Sequence, residues 1–124
     1  MVPPQSPHPL VIEGAGGLLV PLNNDELLID FFARLGVPVV LVSQYYLGSI
    51  NHTLLSAEAL RARKIPVAGI VFNGERNPPT ESAILRHTAY PVLLRVRPER
   101  RWDSTTTRKY AAILRRNLRK YDMV

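Results

Sequence analysis

The residues that decide the fold are LVIEGAGGLLVPL, positions 10–22. Leu10, Val11 and Ile12 are followed by one acidic residue, Glu13, and then by three glycines within four positions. A short apolar run that ends in glycines is typical of a buried parallel strand that stops at the carboxyl edge of a sheet, where open α/β sheets bind ligands. A buried carboxylate at that edge needs a metal, a cation or backbone donors as its partner. A tight turn that needs glycine only for steric reasons explains the same residues equally well.

Downstream of this stretch, helix and strand patterns alternate. Asn23 and Glu26 have the spacing of a capping box before an apolar stripe that includes Leu27 and Phe31, and Gly36 ends this helix. The alternation predicts an α/β fold with a parallel sheet of about four strands, flanking helices and right-handed crossovers. Further strands are predicted at 39–43, 67–73 and 92–96, and further helices at about 50–64, with Ser49 as the cap, at 80–87 and at about 105–121.

The length of 124 residues and the 46% share of hydrophobic residues predict one globular domain. Residues 1–9 contain four prolines and are expected to form a flexible lead-in, which leaves residues 10–124 as the domain. No apolar run approaches the roughly 20 residues of a membrane span, and the N-terminus lacks the features of a signal peptide. We therefore expect a cytoplasmic location and no membrane partner. The absence of cysteine excludes disulfides and thiolate chemistry.

The positive charge is concentrated near the C-terminus. The net charge is +6, and from Arg95 onward there are ten Lys or Arg residues against three acidic residues. Such a tail can contact a polyanion. A solvated helix face is the preferred interpretation, because no aromatic interleaving or nucleic-acid motif accompanies the charge. A nucleic-acid partner is therefore not expected, and the role of this Arg-rich helix is left open.

Three of the predicted strands end in polar loops. One contains Glu13 with its glycines, the second leads into the helix start at residues 49–52, and the third contains Asn73. Because the carboxyl ends of parallel strands share one edge, these residues are expected to line one cleft. A carboxylate suits a divalent cation, a helix start suits an anion, and the amide of Asn73 suits a base edge such as adenine. A simple turn residue before Gly74 is the preferred explanation of Asn73 from its local sequence alone.

Several common catalytic motifs are absent. No two histidines have the spacing of a zinc site, and no G-x-S-x-G nucleophile motif is present. The glycine-rich loop is not a phosphate loop of the G-x-x-x-x-G-K-[ST] type, because none of the three lysines follows a glycine-rich turn.

Three segments in order resemble the second half of the dethiobiotin synthetases. They are VIEGAGGLLVPL, VVLVSQYYLGSINHTLLSAEALRARKIPVAGIVFN and ESAILRHTAYPVLLRVRPE, and the likeness covers roughly residues 10–99. The resemblance implies a P-loop NTPase-like fold similar to that of the nitrogenase iron protein. It also implies formation of dethiobiotin from 7,8-diaminopelargonate and CO2 with ATP and Mg2+, in a homodimer whose substrate sites lie at the subunit interface.

On the nucleotide side, the resemblance implies that Glu13 is a Mg2+ ligand near the ATP phosphates and that Asn73 reads adenine. Pro98 and Glu99 would lie beside the base. On the substrate side, Gly16 and Gly17 would border the amines. The substrate carboxylate would be held across the dimer by the helix start formed by Gly48, Ser49, Ile50 and Asn51.

The phosphate loop of the family has no counterpart in these residues. Phosphoryl transfer depends on positioning and charge stabilisation, so this chain is expected to need a phosphate-loop half from a partner chain for activity. A non-catalytic ligand-binding remnant and an inactive fragment are the alternatives. The loop's strand is also expected to lie between the strand ending at Glu13 and the strand ending at Ser43. Its absence leaves those two strands to close up, to accept a strand from another chain, or to keep unpaired backbone groups.

Overall fold

The computed structural model describes residues 3–120 as an α/β layer structure. Its three strands form one parallel sheet in the order β1-β2-β3. None of the helices within residues 3–120 is long and apolar enough to cross a membrane. The elements in chain order are α1 (Leu28–Leu35), β1 (Val39–Gln44), α2 (Ser49–Ala62), β2 (Val67–Asn73), α3 (Pro78–Thr88), β3 (Val92–Val96) and α4 (Ser104–Lys120).

The predicted fold class is confirmed, and the sheet has three strands where about four were predicted. Residues 10–14 form no strand, and the side chain of Val11 is 91% exposed. Gly14 instead lies against α1, so closely that a Cβ atom on it would be 2.5 Å from Leu28 Cδ2. An apolar run becomes a strand only where a neighbouring strand can pair with its backbone, and none within residues 3–120 does so here.

The first helix also begins later than its sequence pattern predicts. The Asn23 side chain accepts a hydrogen bond from the Asp25 amide at 2.9 Å, so it makes a local turn and caps no helix. The carboxylate that serves the start of α1 belongs to Asp30, which accepts the amide of Leu27 at 3.1 Å. Gly36 ends the helix with a φ of 65°, as its position predicts.

Two helical layers cover the sheet unequally. Ile84 of α3 packs with Ile70 and Phe72, while Tyr110 of α4 packs with Val71. Because neighbouring residues of a strand point to opposite faces, α3 and α4 lie on opposite sides of β2. The helix α2 lies on the α3 side, and the Ser43 hydroxyl of β1 is hydrogen bonded to that of Thr53 of α2 at 2.8 Å.

A third group of buried side chains joins α1 to the rest. Ile29 is fully buried with Leu60 and Ile65, and the first residues of β1 and β2 pack against this group. The Ile29 amide donates to the Leu18 carbonyl at 2.9 Å, and this bond holds the segment before α1 beside the helix. The segment before β1 therefore packs toward the amino ends of the strands.

Candidate functional site

The carboxyl edge of the sheet is formed by the last residues of the three strands. Gln44, Asn73 and Val96 lie side by side in the register. Three loops leave the sheet at this edge, covering residues 45–48, 74–77 and 97–103. Two of the predicted binding segments, around Asn73 and residues 48–51, are therefore adjacent on one edge.

Asn73 is half-buried at the centre of this edge, and Gly74 fixes the loop that follows it. The Gly74 amide donates to the Val96 carbonyl at 2.9 Å, and its φ is 121°. A Cβ atom at Gly74 would lie 3.3 Å from Cδ2 of Tyr45. The left-handed backbone and the close ring both favour glycine, which keeps the loops after β1 and β2 in contact.

The start of α2 has the geometry of an anion site. Gly48 is the N-cap with a φ of 94°, and no side chain among residues 3–120 caps this helix. Ser49 is the first helical residue instead of the cap, and it is buried. Within the described residues, no oxygen accepts the amides of Ile50 and Asn51. These two exposed donors stand at the positive end of the helix dipole.

A buried carboxylate, Glu81, ties three parts of this edge together. Its Oε1 accepts the hydroxyl of Tyr45 at 2.5 Å, and its Oε2 accepts Nε of Arg95 at 2.9 Å. Nε of Arg76 lies 3.6 Å from Oε1. The Glu81 residue is only 3% exposed, whereas both arginine side chains are 40% or more exposed. We call these four residues the Glu81 network.

The protonation state of the network follows from its contacts. Burial by itself raises the pKa of Glu81, but the hydrogen bonds from Tyr45 and Arg95 and the two positive charges outweigh it, so the pKa is lowered. Burial and the neighbouring carboxylate raise the pKa of Tyr45 well above its usual value. The network therefore holds an ionised Glu81 and a protonated Tyr45 at neutral pH.

The loop after β3 is anchored by a second carboxylate. The hydroxyl of Tyr110 donates to Glu99 Oε1 at 2.6 Å, and Nζ of Lys109 donates to the same oxygen at 2.9 Å. The Tyr110 oxygen also accepts the amide of Arg97 at 3.1 Å. Hydrogen bonds from Tyr110 and Lys109 lower the pKa of Glu99. Pro98 is exposed between these anchored residues.

The glycine-rich stretch lies elsewhere. Glu13 is exposed, and it does not follow any of the strands that the structure describes in residues 3–120. Gly16 and Gly17 are exposed in a bend with φ values of 81° and 108°. The packing of Gly14 against α1 places this stretch beside that helix. The structure thus brings together the segments around Asn73 and residues 48–51. Within the described residues, neither segment contacts Glu13.

The described residues contain no complete set of metal ligands. Within residues 3–120, no group of three His, Asp or Glu side chains could hold a metal ion. Mg2+ commonly uses only one or two protein carboxylates and completes its shell with phosphate oxygens and water. A lone exposed Glu13 fits that type of ligand but makes no metal site by itself, so its metal role stays a prediction.

The Glu81 network was not anticipated from the sequence. Asn77 caps α3, because its side chain accepts the Thr80 amide at 3.1 Å, and an acid in the first turn, here Glu81, is expected for the helix dipole alone. The burial of Glu81, in contrast, depends on Tyr45 and Arg95, which are 36 and 14 residues away in the chain. No local pattern signals such contacts.

Comparison with known proteins gives a consistent set of relatives. The model of a family described as "AAA domain" matches residues 2–106. The ATP-dependent dethiobiotin synthetase BioD of Cytophaga hutchinsonii is 50% identical over 113 residues, which is 91% of this chain and 55% of the relative. The proteins of the same name from Paramagnetospirillum magneticum and Christiangramia forsetii are each 46% identical, over 79% and 93% of this chain and 48% and 55% of their own lengths. The chain thus spans about half the length of these curated relatives.

Proposed function

The chain belongs to the AAA domain family and, within it, to the dethiobiotin synthetases, and we propose that it contributes the diaminopelargonate and adenine sides of an ATP-dependent dethiobiotin synthetase. The observation that carries the proposal is the identity of 46–50% to three such enzymes over most of this chain. Because the chain spans about half of their length, the remaining parts of the site would come from a further polypeptide segment.

The residues of the carboxyl edge fit these roles. The uncapped amides of Ile50 and Asn51 offer two donors to the substrate carboxylate at a positive helix end. The half-buried amide of Asn73 can donate and accept in one plane, which suits adenine. Pro98 and Glu99 lie in the next loop along this edge, beside the expected position of the base.

The stretch that contains Glu13 has a separate part in the proposal. Mg2+ held by Glu13 and by ATP phosphates would neutralise charge on the phosphates during phosphoryl transfer. Gly17 leaves room for a ligand, since a Cβ atom there would meet nothing within 4 Å, whereas a Cβ atom at Gly16 would lie 3.1 Å from Cγ2 of Val20. These residues reach the substrates only after the stretch at 10–17 is brought to the carboxyl edge.

A phosphate-loop segment would dock at β1. Within residues 3–120 this strand pairs with β2 on one side only, and Val40 and Val42 are 44% and 59% exposed. Ser43 points to α2, so these two valines point to the face that α4 covers further along the sheet. An unpaired apolar edge of this kind favours a further strand. A homodimer that completes the substrate site is also part of the proposal.

Complementation tests the function. The purified chain is mixed with a polypeptide corresponding to the part of the Cytophaga relative that it does not match, and dethiobiotin formation from diaminopelargonate, bicarbonate and ATP is followed by mass spectrometry. We expect product only when both parts and ATP are present. An inactive mixture, while the intact relative is active in the same assay, would overturn the proposal.

The substrate side is tested with Asn51→Asp. An acid in the first turn is compatible with the helix dipole, so the chain should fold, but its charge opposes the substrate carboxylate. We expect the KM for diaminopelargonate to rise at least about tenfold, with the KM for ATP nearly unchanged. Asn51→Gln is the neutral control. The alternative is a non-catalytic remnant. Such a remnant would bind diaminopelargonate in calorimetry on the chain alone but would form no product in any mixture.

A further inference from the structure

The Glu81 network joins the two loops to which the proposed function assigns different ligands. Tyr45 lies three residues before Gly48, the N-cap of α2, and Arg76 lies three residues after Asn73. Both side chains approach the same oxygen of Glu81. The first loop leads to the expected substrate carboxylate, and the second follows the expected adenine contact.

The contacts between these loops extend beyond Glu81. The ring of Tyr45 stacks on that of Phe72 with centroids 5.8 Å apart, and it also lies against Gly74. Phe72 immediately precedes Asn73. A displacement of the loop after β1 would therefore be transmitted to the end of β2 through the Tyr45 ring and through Glu81.

The charges of the network require Glu81 to stay ionised. Arg95 and Arg76 approach the carboxylate from β3 and from the loop after β2. Glutamine at position 81 keeps the size of the side chain but removes its charge. It would therefore leave the two arginines without a buried anionic partner. Breaking one partner of a buried ion pair costs more than the pair itself contributes.

We propose that Glu81 is a positioning residue that holds the loop at 45–48 and the loop at 74–77 in one fixed arrangement and thereby couples the substrate side of the site to the adenine side. The inference rests on the proposed function for the identity of the two ligands. The mechanical part of the inference, that Glu81 fixes both loops, stands on the observed contacts.

The mechanical part is tested without ligands by amide hydrogen exchange followed by NMR. Tyr45→Phe keeps the ring and removes only the hydrogen bond to Glu81, so we expect exchange to accelerate about fivefold to tenfold at the buried Ser49 amide, which closes the loop at 45–48 by donating to the Tyr46 carbonyl. Glu81→Gln is expected to accelerate exchange in both loops, at the Ser49 amide and at the Gly74 amide, which donates to the Val96 carbonyl. In each variant, exchange in α4 should stay unchanged. Glu75→Gln, an exposed acid in the second loop, is the matched control and should change neither loop.

Two exchange results would overturn the inference. Unchanged exchange in both loops of both variants would show that Glu81 does not fix them. Uniform acceleration that includes α4 would show that Glu81 only supports global stability. If Glu81→Gln does not fold, the Tyr45→Phe result at the Ser49 amide still decides the question.

The coupling is tested in the complemented enzyme of the preceding section. Diaminopelargonate is expected to change the affinity for ATP, and Glu81→Gln should bring the ratio of ATP affinities with and without this substrate to about one. A ratio unchanged by the substitution would overturn the coupling. An inactive complemented mixture combined with faster loop exchange would overturn the proposed function while leaving the mechanical role of Glu81 supported.

Discussion

The two edges of the sheet differ in how fully this chain covers them. At the β3 edge, which we call the covered flank, α4 packs along the strand, and Leu93 is fully buried. At the β1 edge, the open flank, Val40 and Val42 remain exposed on the same face of the sheet. The covered flank thus obtains its packing from within the chain. The open flank has the apolar surface of a strand that lies inside a larger sheet, which agrees with a chain that spans about half the length of its relatives.

The covered flank also contains a backbone irregularity that α4 stabilises. Leu93 forms a bulge, because Val92 and Leu94 pair with consecutive residues of β2. Its carbonyl accepts Nδ2 of Asn117 of α4 at 2.7 Å. A backbone irregularity on this side is therefore satisfied by a side chain of the covering helix.

Truncation of one apolar side chain on each flank gives the largest expected contrast. Leu93→Ala removes a fully buried side chain and should lower the free energy of unfolding by about 2–5 kcal/mol. Val42→Ala should change it by less than about 0.5 kcal/mol in the chain alone, because Val42 is already in contact with water. Urea denaturation at pH 7 measures both. Similar losses for the two variants would show that the open flank is covered in solution.

Gly69→Ala tests how tightly the strands of the covered flank approach. A Cβ atom at Gly69 would lie 2.6 Å from the Pro91 carbonyl oxygen and 2.6 Å from Leu93 Cγ. The backbone must shift, so we expect a loss of about 2–3 kcal/mol in the same denaturation experiment. Gly36→Ala is the control, because it adds only the cost of a left-handed backbone, about 1–2 kcal/mol, in open space. Equal losses would mean that the close approach at Gly69 relaxes without cost.

The smallest expected effect concerns the pH dependence of the covered flank. The pKa of Glu99 is lowered by Tyr110 and Lys109, so its contribution to stability is present above the usual carboxyl pKa and is lost as the pH falls through the lowered value. Glu99→Gln should therefore be slightly less stable than the parent at pH 7, and the difference should shrink in acid. Glu75→Gln serves as the exposed control. A difference between Glu99→Gln and the parent that is constant with pH would contradict the assigned ionisation.

The class of fold and the order of the elements from α1 onward were accessible from the sequence because they depend on local signals. Apolar runs bounded by proline and polar residues predicted β1, β2 and β3 closely, and the apolar stripe predicted α4, which spans 104–120. The continuation predicted at residue 121 lies outside the described residues. The adjacency of Asn73 and residues 48–51 also followed, since the carboxyl ends of parallel strands share one edge.

Only the tertiary structure decided three features: the conformation of residues 10–12, the burial of Glu81, and the different coverage of the two flanks. The run at 10–12 has the composition of a strand but finds no partner for its backbone within residues 3–120, and it stays exposed. Glu81 is ionised and buried because residues far away in the sequence supply its hydrogen bonds. Local sequence determines which conformations a segment favours, whereas pairing and burial depend on what the rest of the chain places beside it.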